Sequence, residues 1–544
     1  MQKPIKSDGQ SLLFGLLIKK KSPSGKAYIQ FQWFRIGLLF TSFLIISWLL
    51  AGATLYSFFK YYRDYDAVKF TDMLILPFII KQHRIEMGNF HVKQGLNSLE
   101  KENYAEGIHL LKLGLARSPA NLEGRITLAQ IYEYGIKRKD IAADIYLEGF
   151  KYQGIEDEAF LIAALQCLLN NQRDAEIQAL AEEFLPSDFK TGDNRNFQTL
   201  AFATATSYFL NGNFDKAEDY INLFLLNSTV DGVILSAKIS WDRGNQLSAI
   251  NKLERTLSTF PNSNAIFSQL GIFYRKIKDF DAARRYTQLR NVKNPSDPTP
   301  IIDLMYLYND TEDLASVKDL SNRILRDFEN DKNAIYQLAN FASLTGNIRL
   351  AQRCYELVLE KGFELDKLAL TVIESYLVAR DYEGAMEFAE ELLEENPTWL
   401  NAQKALFNSL RALAAFGLNR PEIGEIYLGE FLNKTEINSA IFVAVAKRFS
   451  DNDMPLQAQK VLQKAYQSEP TNQRVLNDLI EVNLNLGLTK DLSLQLRQFL
   501  NTRRPSKKLL AQAYTRLGSD LFLFTENRRA ILIELGSILR ESKL

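Results

Sequence analysis

Two cysteines and three histidines are all that 544 residues offer to thiol or imidazole chemistry. Cys167 and Cys354 lie far apart in the chain, so a disulfide framework is excluded, and both read as small buried side chains. His83, His91 and His109 fall in one stretch, and the spacing of eight between the first two would put them on one helical face. No Glu-rich or Cys partner completes a zinc pattern, so they are expected to be surface histidines and no metal is called for. Phosphate-binding glycine loops and nucleophile elbows are also missing, which leaves no catalytic residue and no cofactor to nominate. Net charge is missing too. Lys plus Arg equals Asp plus Glu at 65 each, so there is no basic excess to hold nucleic acid.

The balance conceals an asymmetry. Lys3, Lys6, Lys19, Lys20, Lys21, Lys26 and Arg35 face only Asp8 within the first 35 residues, an excess of six positive charges, and the remainder is acidic by the same amount. Residues 1–34 read as a short basic cytoplasmic tail in which the Ser22-Pro23-Ser24-Gly25 sequence breaks any helix. The lysine cluster is either an attractor of anionic lipid or a topology signal only. Residues 36–59 contain not a single charge. At about 1.5 Å per residue this run is about 36 Å long, enough to span a bilayer. Tyr28, Phe31, Trp33 and Phe34 precede the run and Tyr56, Phe58, Phe59, Tyr61 and Tyr62 close it, as membrane interfaces favour. It is too long and too far from the first residue for a cleaved signal. The expectation is a single-pass anchor over 35–59 that contacts lipid, with the N-terminus in the cytoplasm and everything after residue 59 outside it. Residues 60–87 read as a juxtamembrane linker and N-terminal cap, in which the apolar run 73–80, broken by Pro77, packs beneath the helices beyond residue 87.

Beyond that linker the chain repeats itself. Pro261 and Pro295 are 34 apart and Pro397 lies three periods later, while Ala249, Ala283, Ala351 and Ala385 keep the same spacing. A period of this size means stacked supersecondary units rather than one globular core. The unit from Asn264 to Pro295 is legible throughout. Ile266, Leu270 and Phe273 form one apolar stripe, Asp279-Phe280 marks a turn, and a second stripe begins at Ala283. This spacing gives a helical hairpin with one buried seam, ended by proline.

The unit resembles the tetratricopeptide repeat. Within that family's 34 positions, Gly271 is the small residue at 8, Tyr274 the Tyr at 11, Phe280 the aromatic at 17, Ala283 the Ala at 20 and Pro295 the Pro at 32. Other windows match in part, among them Ala205, Tyr208, Gly212, Phe214 and Ala217, and Gly95, Tyr104 and Pro119, where Gly107 replaces the family's Ala. The resemblance covers 88–505 as about twelve units. It implies an all-α chain, a right-handed α-solenoid of helix-turn-helix repeats preceded by one transmembrane helix. Residues 506–544 read as a C-terminal helical cap, with Leu509, Leu510, Ala513 and Leu517 on one stripe and Ile531, Leu532, Leu535 and Leu539 on the other. Two departures from the period are assigned to loops at 185–196 and 417–421, which are either functional or tolerated insertions.

In this family the first helix of each repeat lines a concave groove through positions 2, 5, 9 and 12. Carried over, the resemblance nominates Phe202, Thr206, Phe209, Ile234, Lys238, Trp241, Ile272, Arg275, Tyr336 and Asn340 as contacts for a protein or peptide partner. The family's clamp for a C-terminal carboxylate lacks its Lys, since Tyr336 stands at position 5 before Asn340, and the first repeat carries Val92 and Leu96. The expected function is a membrane-anchored scaffold for envelope assembly, secretion or biogenesis rather than an enzyme. Two alternatives stand beside it: a chaperone-like accessory that binds unfolded segments at the membrane, and a regulator of a glycan- or lipid-synthesising membrane enzyme.

Overall fold

The computed structural model describes residues 10–13, 16–21, 27–63, 65–66, 68–190, 194–364, 368–434 and 437–541. The chain divides into two compact units, residues 1–176 and 177–544.

The first unit opens with an antiparallel meander of β1 (Gln10–Leu12), β2 (Leu17–Lys21) and β3 (Ala27–Phe31), in which Ile18 pairs with Gln30 and Lys20 with Tyr28. The basic tail is therefore partly structured, and the lysine cluster belongs to a strand. The Ser22-to-Gly25 break lies outside the described residues. Next comes α1 (Trp33–Ser57), extended by a π turn over Phe58–Tyr62. This helix is long and apolar enough to cross a membrane, and Gly52 is its only buried residue. Then come α2 (Phe70–Leu74), α3 (Leu76–Glu100), α4 (Tyr104–Arg117), α5 (Leu122–Gln130), α6 (Lys139–Gly149) and α7 (Glu158–Asn170).

The hairpin of α3 and α4 closes on glycine. A Cβ at Gly114 would stand 2.8 Å from the Gly88 carbonyl oxygen, and one at Gly88 would stand 2.6 Å from the Ser118 amide nitrogen. Backbone meets backbone there, so no side chain fits. Gly107, in place of the family's Ala, faces Leu99 and the Gly95 carbonyl oxygen in the same way. Two histidines do not behave as the sequence led us to expect. His83 and His91 are buried, at 8% and 6% exposure, because their shared face of α3 is the packing face; only His109 is exposed. His83 lies edge-on to Phe59 at 4.9 Å, and His91 Nδ1 hydrogen-bonds the Met87 carbonyl oxygen at 2.5 Å. Burial, the largest cause, lowers both imidazole pKa values; the guanidinium groups of Arg117 and Arg63 lower that of His91 further.

The second unit opens within α8 (Asp174–Phe184) and pairs α9 (Arg195–Leu210) with α10 (Phe214–Leu223), and α11 (Val230–Asp242) with α12 (Gln246–Thr256). The pairs continue as α13 (Asn264–Lys276) with α14 (Phe280–Lys293), α15 (Thr299–Asp310) with α16 (Leu314–Asp327), and α17 (Lys332–Leu344) with α18 (Ile348–Lys361). Beyond them α19 (Leu368–Val378) precedes α20 (Tyr382–Glu395), α21 (Leu400–Gly417) precedes α22 (Pro421–Leu432), and α23 (Ser439–Asp451) precedes α24 (Pro455–Ser468). Then come α25 (Gln473–Leu486), α26 (Leu492–Leu500), α27 (Lys507–Leu517) and α28 (Arg528–Glu541). This is an α-solenoid of helix-turn-helix repeats of the tetratricopeptide type.

A repeated turn makes the hairpins. Gly212, Lys278, Glu312, Gly346 and Arg380 each take a left-handed φ between 59° and 80°. The next residue, Asn213, Asp279, Asp313, Asn347 or Asp381, then caps the second helix by accepting a backbone N–H three residues on. At the crossings Ala217, Ala249, Ala283, Ala351 and Ala458 are fully buried. A Cβ at Gly271 would stand 3.9 Å from the Ala283 carbonyl oxygen and 3.3 Å from Thr287 Oγ1, so the small pair of the repeat lies at the crossing.

One loop assignment is corrected. Gly417 ends α21 and Pro421 begins α22, so only 418–420 form the turn between them. The five surplus residues instead lengthen α21, which has 18 where α11, α13 and α17 have 13. The other loop, between Phe184 and Arg195, lays Leu185 and Phe189 on the core, with Phe189 5.3 Å from Phe224. Both cysteines are buried, which pushes each thiol up to about 12. At the far end Leu509, Leu510, Ala513, Leu517, Ile531 and Leu535 share one cluster.

Candidate partner-binding groove

The nominated residues all sit on first helices of the second unit: α9, α11, α13 and α17. The structure sorts them by burial. Phe202, Ile234 and Trp241 are half-buried because they pack between neighbouring repeats. Trp241 in particular stacks on the buried Phe273 of the next repeat, with ring centres 4.1 Å apart and planes within 11°. Thr206 donates its hydroxyl to the Phe202 carbonyl oxygen at 2.8 Å. Lys238, Ile272, Arg275, Tyr336 and Asn340 are exposed. Of these Arg275 is engaged, since it pairs with Asp310 at 2.6 Å and lies 5.9 Å over the Tyr306 ring. The exposed subset thus combines one apolar, one aromatic, one amide and two cationic side chains, a mixture suited to a polypeptide surface.

Behind this face the repeats are joined through tyrosine. Tyr274 and Tyr286 stack at 5.7 Å, and each donates its hydroxyl to Glu254 Oε1 at 2.7 Å. Burial and the Glu254 carboxylate both raise their pKa values. Tyr274, at position 11, therefore holds a carboxylate of the preceding repeat.

Further along, first helices and hairpin turns bind one another. Arg448 on α23 pairs with Glu374 on α19 at 2.6 Å, and Glu374 also accepts a bond from Ser343 on α17. Arg380 reaches Asp453 at 2.9 Å and Tyr382 donates to Asn452 at 2.8 Å. All but the Ser343 bond, which joins neighbouring repeats, span two repeats and skip α21. Polar groups there are spent on the chain itself, whereas Lys238, Ile272, Tyr336 and Asn340 remain available.

A longer link was invisible in the sequence. Arg504, in the loop after α26, pairs with Asp242 at 2.8 Å and places its guanidinium 5.5 Å from the Phe209 ring and 5.0 Å from that of Phe214. Phe209, nominated for a partner, is thus covered by the chain's own arginine. The partners are separated by 262 residues and obey no period, so nothing local could have announced them. Among the described residues no group of three or more His, Cys, Asp or Glu side chains is placed to hold a metal ion.

No protein-family model and no curated protein matches the sequence. Among solved structures, likenesses include a tetratricopeptide repeat protein from Parabacteroides merdae, at 15% identity, covering 46% of this chain and 98% of that one with a TM-score of 0.28. Yeast Tom70 is similar at 14% identity, over 91% of this chain and 98% of its own, with a TM-score of 0.32. PilF of Pseudomonas aeruginosa is similar at 13% identity, over 46% and 96%, with a TM-score of 0.26. At these values the likenesses carry no argument about function. The helix pairing and its turn chemistry are what identify the solenoid.

Proposed function

We propose that this protein is a membrane-anchored scaffold that holds a protein or peptide partner on the first-helix face of α11 to α17. The observation that carries the reading is the recurrence of exposed, chemically varied side chains at repeat position 9, Lys238, Ile272 and Asn340, with the exposed Tyr336 one helical turn before Asn340. α1 serves as the anchor, and the positive excess before it supports a cytoplasmic N-terminus with the repeats on the other side. Its place is the cell envelope, in assembly, secretion or biogenesis. Purification from native membranes in mild detergent, beside a Lys238→Ala, Ile272→Ala, Tyr336→Ala variant, tests the binding reading. A discrete set of partners lost in the variant is expected. A diffuse set of unrelated chains retained by both would replace the scaffold with a chaperone-like binder. A reporter fused after Leu544 that is active only in the cytoplasm would overturn the topology.

A further inference from the structure

Residues 60–87 do not simply connect the anchor to the first repeat. After α1 the chain reverses at Tyr65 and Val68, and α2 runs back along the anchor. Phe70 meets Tyr56 edge-on at 6.1 Å, and Leu74 occupies the space beside Gly52, where its Cδ2 would lie 2.6 Å from an added Cβ. That contact makes Gly52 the one buried residue of α1. The chain then turns at Ile75 and α3 heads out again, with His83 reaching the level of Phe59. The result is a helical hairpin whose tip, around Ile75, Pro77 and Phe78, lies beside the span.

The depth is set by the helix rise. Gly52 is seven residues inside the Phe59 end of the uncharged run, or about 10 Å along the axis. That run, about 36 Å long, exceeds a hydrocarbon core of about 30 Å by only a few ångströms at each end. Leu74 and the tip therefore sit below the hydrocarbon boundary, at the depth of about 5–10 Å reached by interfacial helices. Exposure at the tip agrees: Phe78 is 83% exposed, Ile80 60% and Ile75 47%, an apolar surface continuous with the lipid-facing surface of α1. Part of the turn's backbone is satisfied internally. Ile75 N–H bonds the Thr71 carbonyl oxygen, Phe78 N–H bonds the Ile75 carbonyl oxygen, and Pro77 has no N–H to satisfy. Lys69 and Lys81 flank the hairpin, both exposed, at the height of the headgroups.

We infer that residues 74–80 form a re-entrant wedge whose occupied surface is the lipid of the non-cytoplasmic leaflet, so that the protein holds the membrane by two elements. This rests on the reading of α1 as a membrane span. It differs from a cap in that Phe78 and Ile80 touch acyl chains rather than the first repeat.

The test uses the full chain in phosphatidylcholine–phosphatidylglycerol vesicles, with an environment-sensitive fluorophore on single introduced cysteines; Cys167 and Cys354 are buried and stay unlabelled. Phe78→Cys reports the wedge, Leu44→Cys the span, and Leu247→Cys, 72% exposed on α12, the aqueous solenoid. Doxyl-labelled lipid should quench the label at 78 to within about two-fold of that at 44 and spare that at 247, since both sites then lie in hydrocarbon. Quenching at 44 with none at 78 overturns the wedge and leaves the anchor standing. Absence of quenching at both sites overturns the wedge together with the anchor.

Discussion

The hairpin of α3 and α4 in the first unit and that of α13 and α14 in the second share one repeat pattern but are sealed differently. The first uses glycine at Gly88, Gly95, Gly107 and Gly114, so that peptide groups press on one another, and buries two histidines on the same helix. The second uses Gly271 against Ala283 and Thr287, where an added Cβ would stand a tight 3.3 Å from Thr287 Oγ1 but clear of backbone, and ties its flank to the preceding repeat through tyrosine hydroxyls. A seam of glycines permits the closest approach and tolerates no added atom. A seam containing alanine gives a little room, and polar links fix the stacking instead.

The largest effect on this comparison comes from Ala283→Asp. The site is fully buried at the crossing and offers no cation, so a charge there costs about 3–5 kcal/mol. Loss of cooperative melting of the second unit is the expected outcome. Next is the contrast between Gly114→Ala and Gly271→Ala. The first forces a Cβ against the Gly88 carbonyl oxygen and costs about 1–3 kcal/mol. The second meets the Thr287 hydroxyl at 3.3 Å, a contact relieved by a few tenths of an ångström, and the gain in helix propensity keeps the net change within about 1 kcal/mol. Urea denaturation of the two variants, with hydrogen exchange measured in each hairpin, separates them; equal losses would erase the distinction between the two seams.

The buried histidines predict a pH dependence confined to the first unit. Their folded pKa values are lowered from 6.5, so the unfolded chain binds more protons and stability rises with pH. Stability is therefore complete above the unfolded value, falls as pH drops through it, and levels off below the lowered folded values. Exchange protection of α3 measured on either side of that window should fall in acid, and His83→Gln with His91→Gln should flatten the change. The smallest effect is Arg504→Ala, which removes a partly exposed ion pair and two ring contacts worth together about 1 kcal/mol. Faster exchange at the α9–α10 turn with a nearly unchanged melting temperature is expected.

Periodicity made the hairpins readable because each depends on near neighbours: a left-handed residue, an Asx cap, and small residues twelve apart such as Gly271 and Ala283. The apolar helix α1 was equally legible, its signal being a single uncharged run. What stayed hidden depends on distance or on context. His83 and His91 are polar residues on an apolar face, and the sequence marks the face but not its depth. The surplus near Gly417 was assigned to a loop because glycine and proline bracket it, yet Ala412, Leu413, Ala414 and Ala415 continue α21 into the core. That Trp241 stacks on Phe273 of the next repeat could not be read locally, because nothing in the pattern shows that Phe273 lies beside it. The Arg504 link joins residues that share no repeat position. How many of the nominated groove residues a partner touches is a question of occupancy, on which local pattern has no hold.

The most direct test of the central claim is site-specific photocrosslinking in native membranes from Ile272 and Tyr336 on the first-helix face, beside Glu387, an exposed residue on α20. The account predicts discrete crosslinked species from the first two positions and none from Glu387. Equal crosslinking from all three, or discrete species from Glu387 alone, would contradict it.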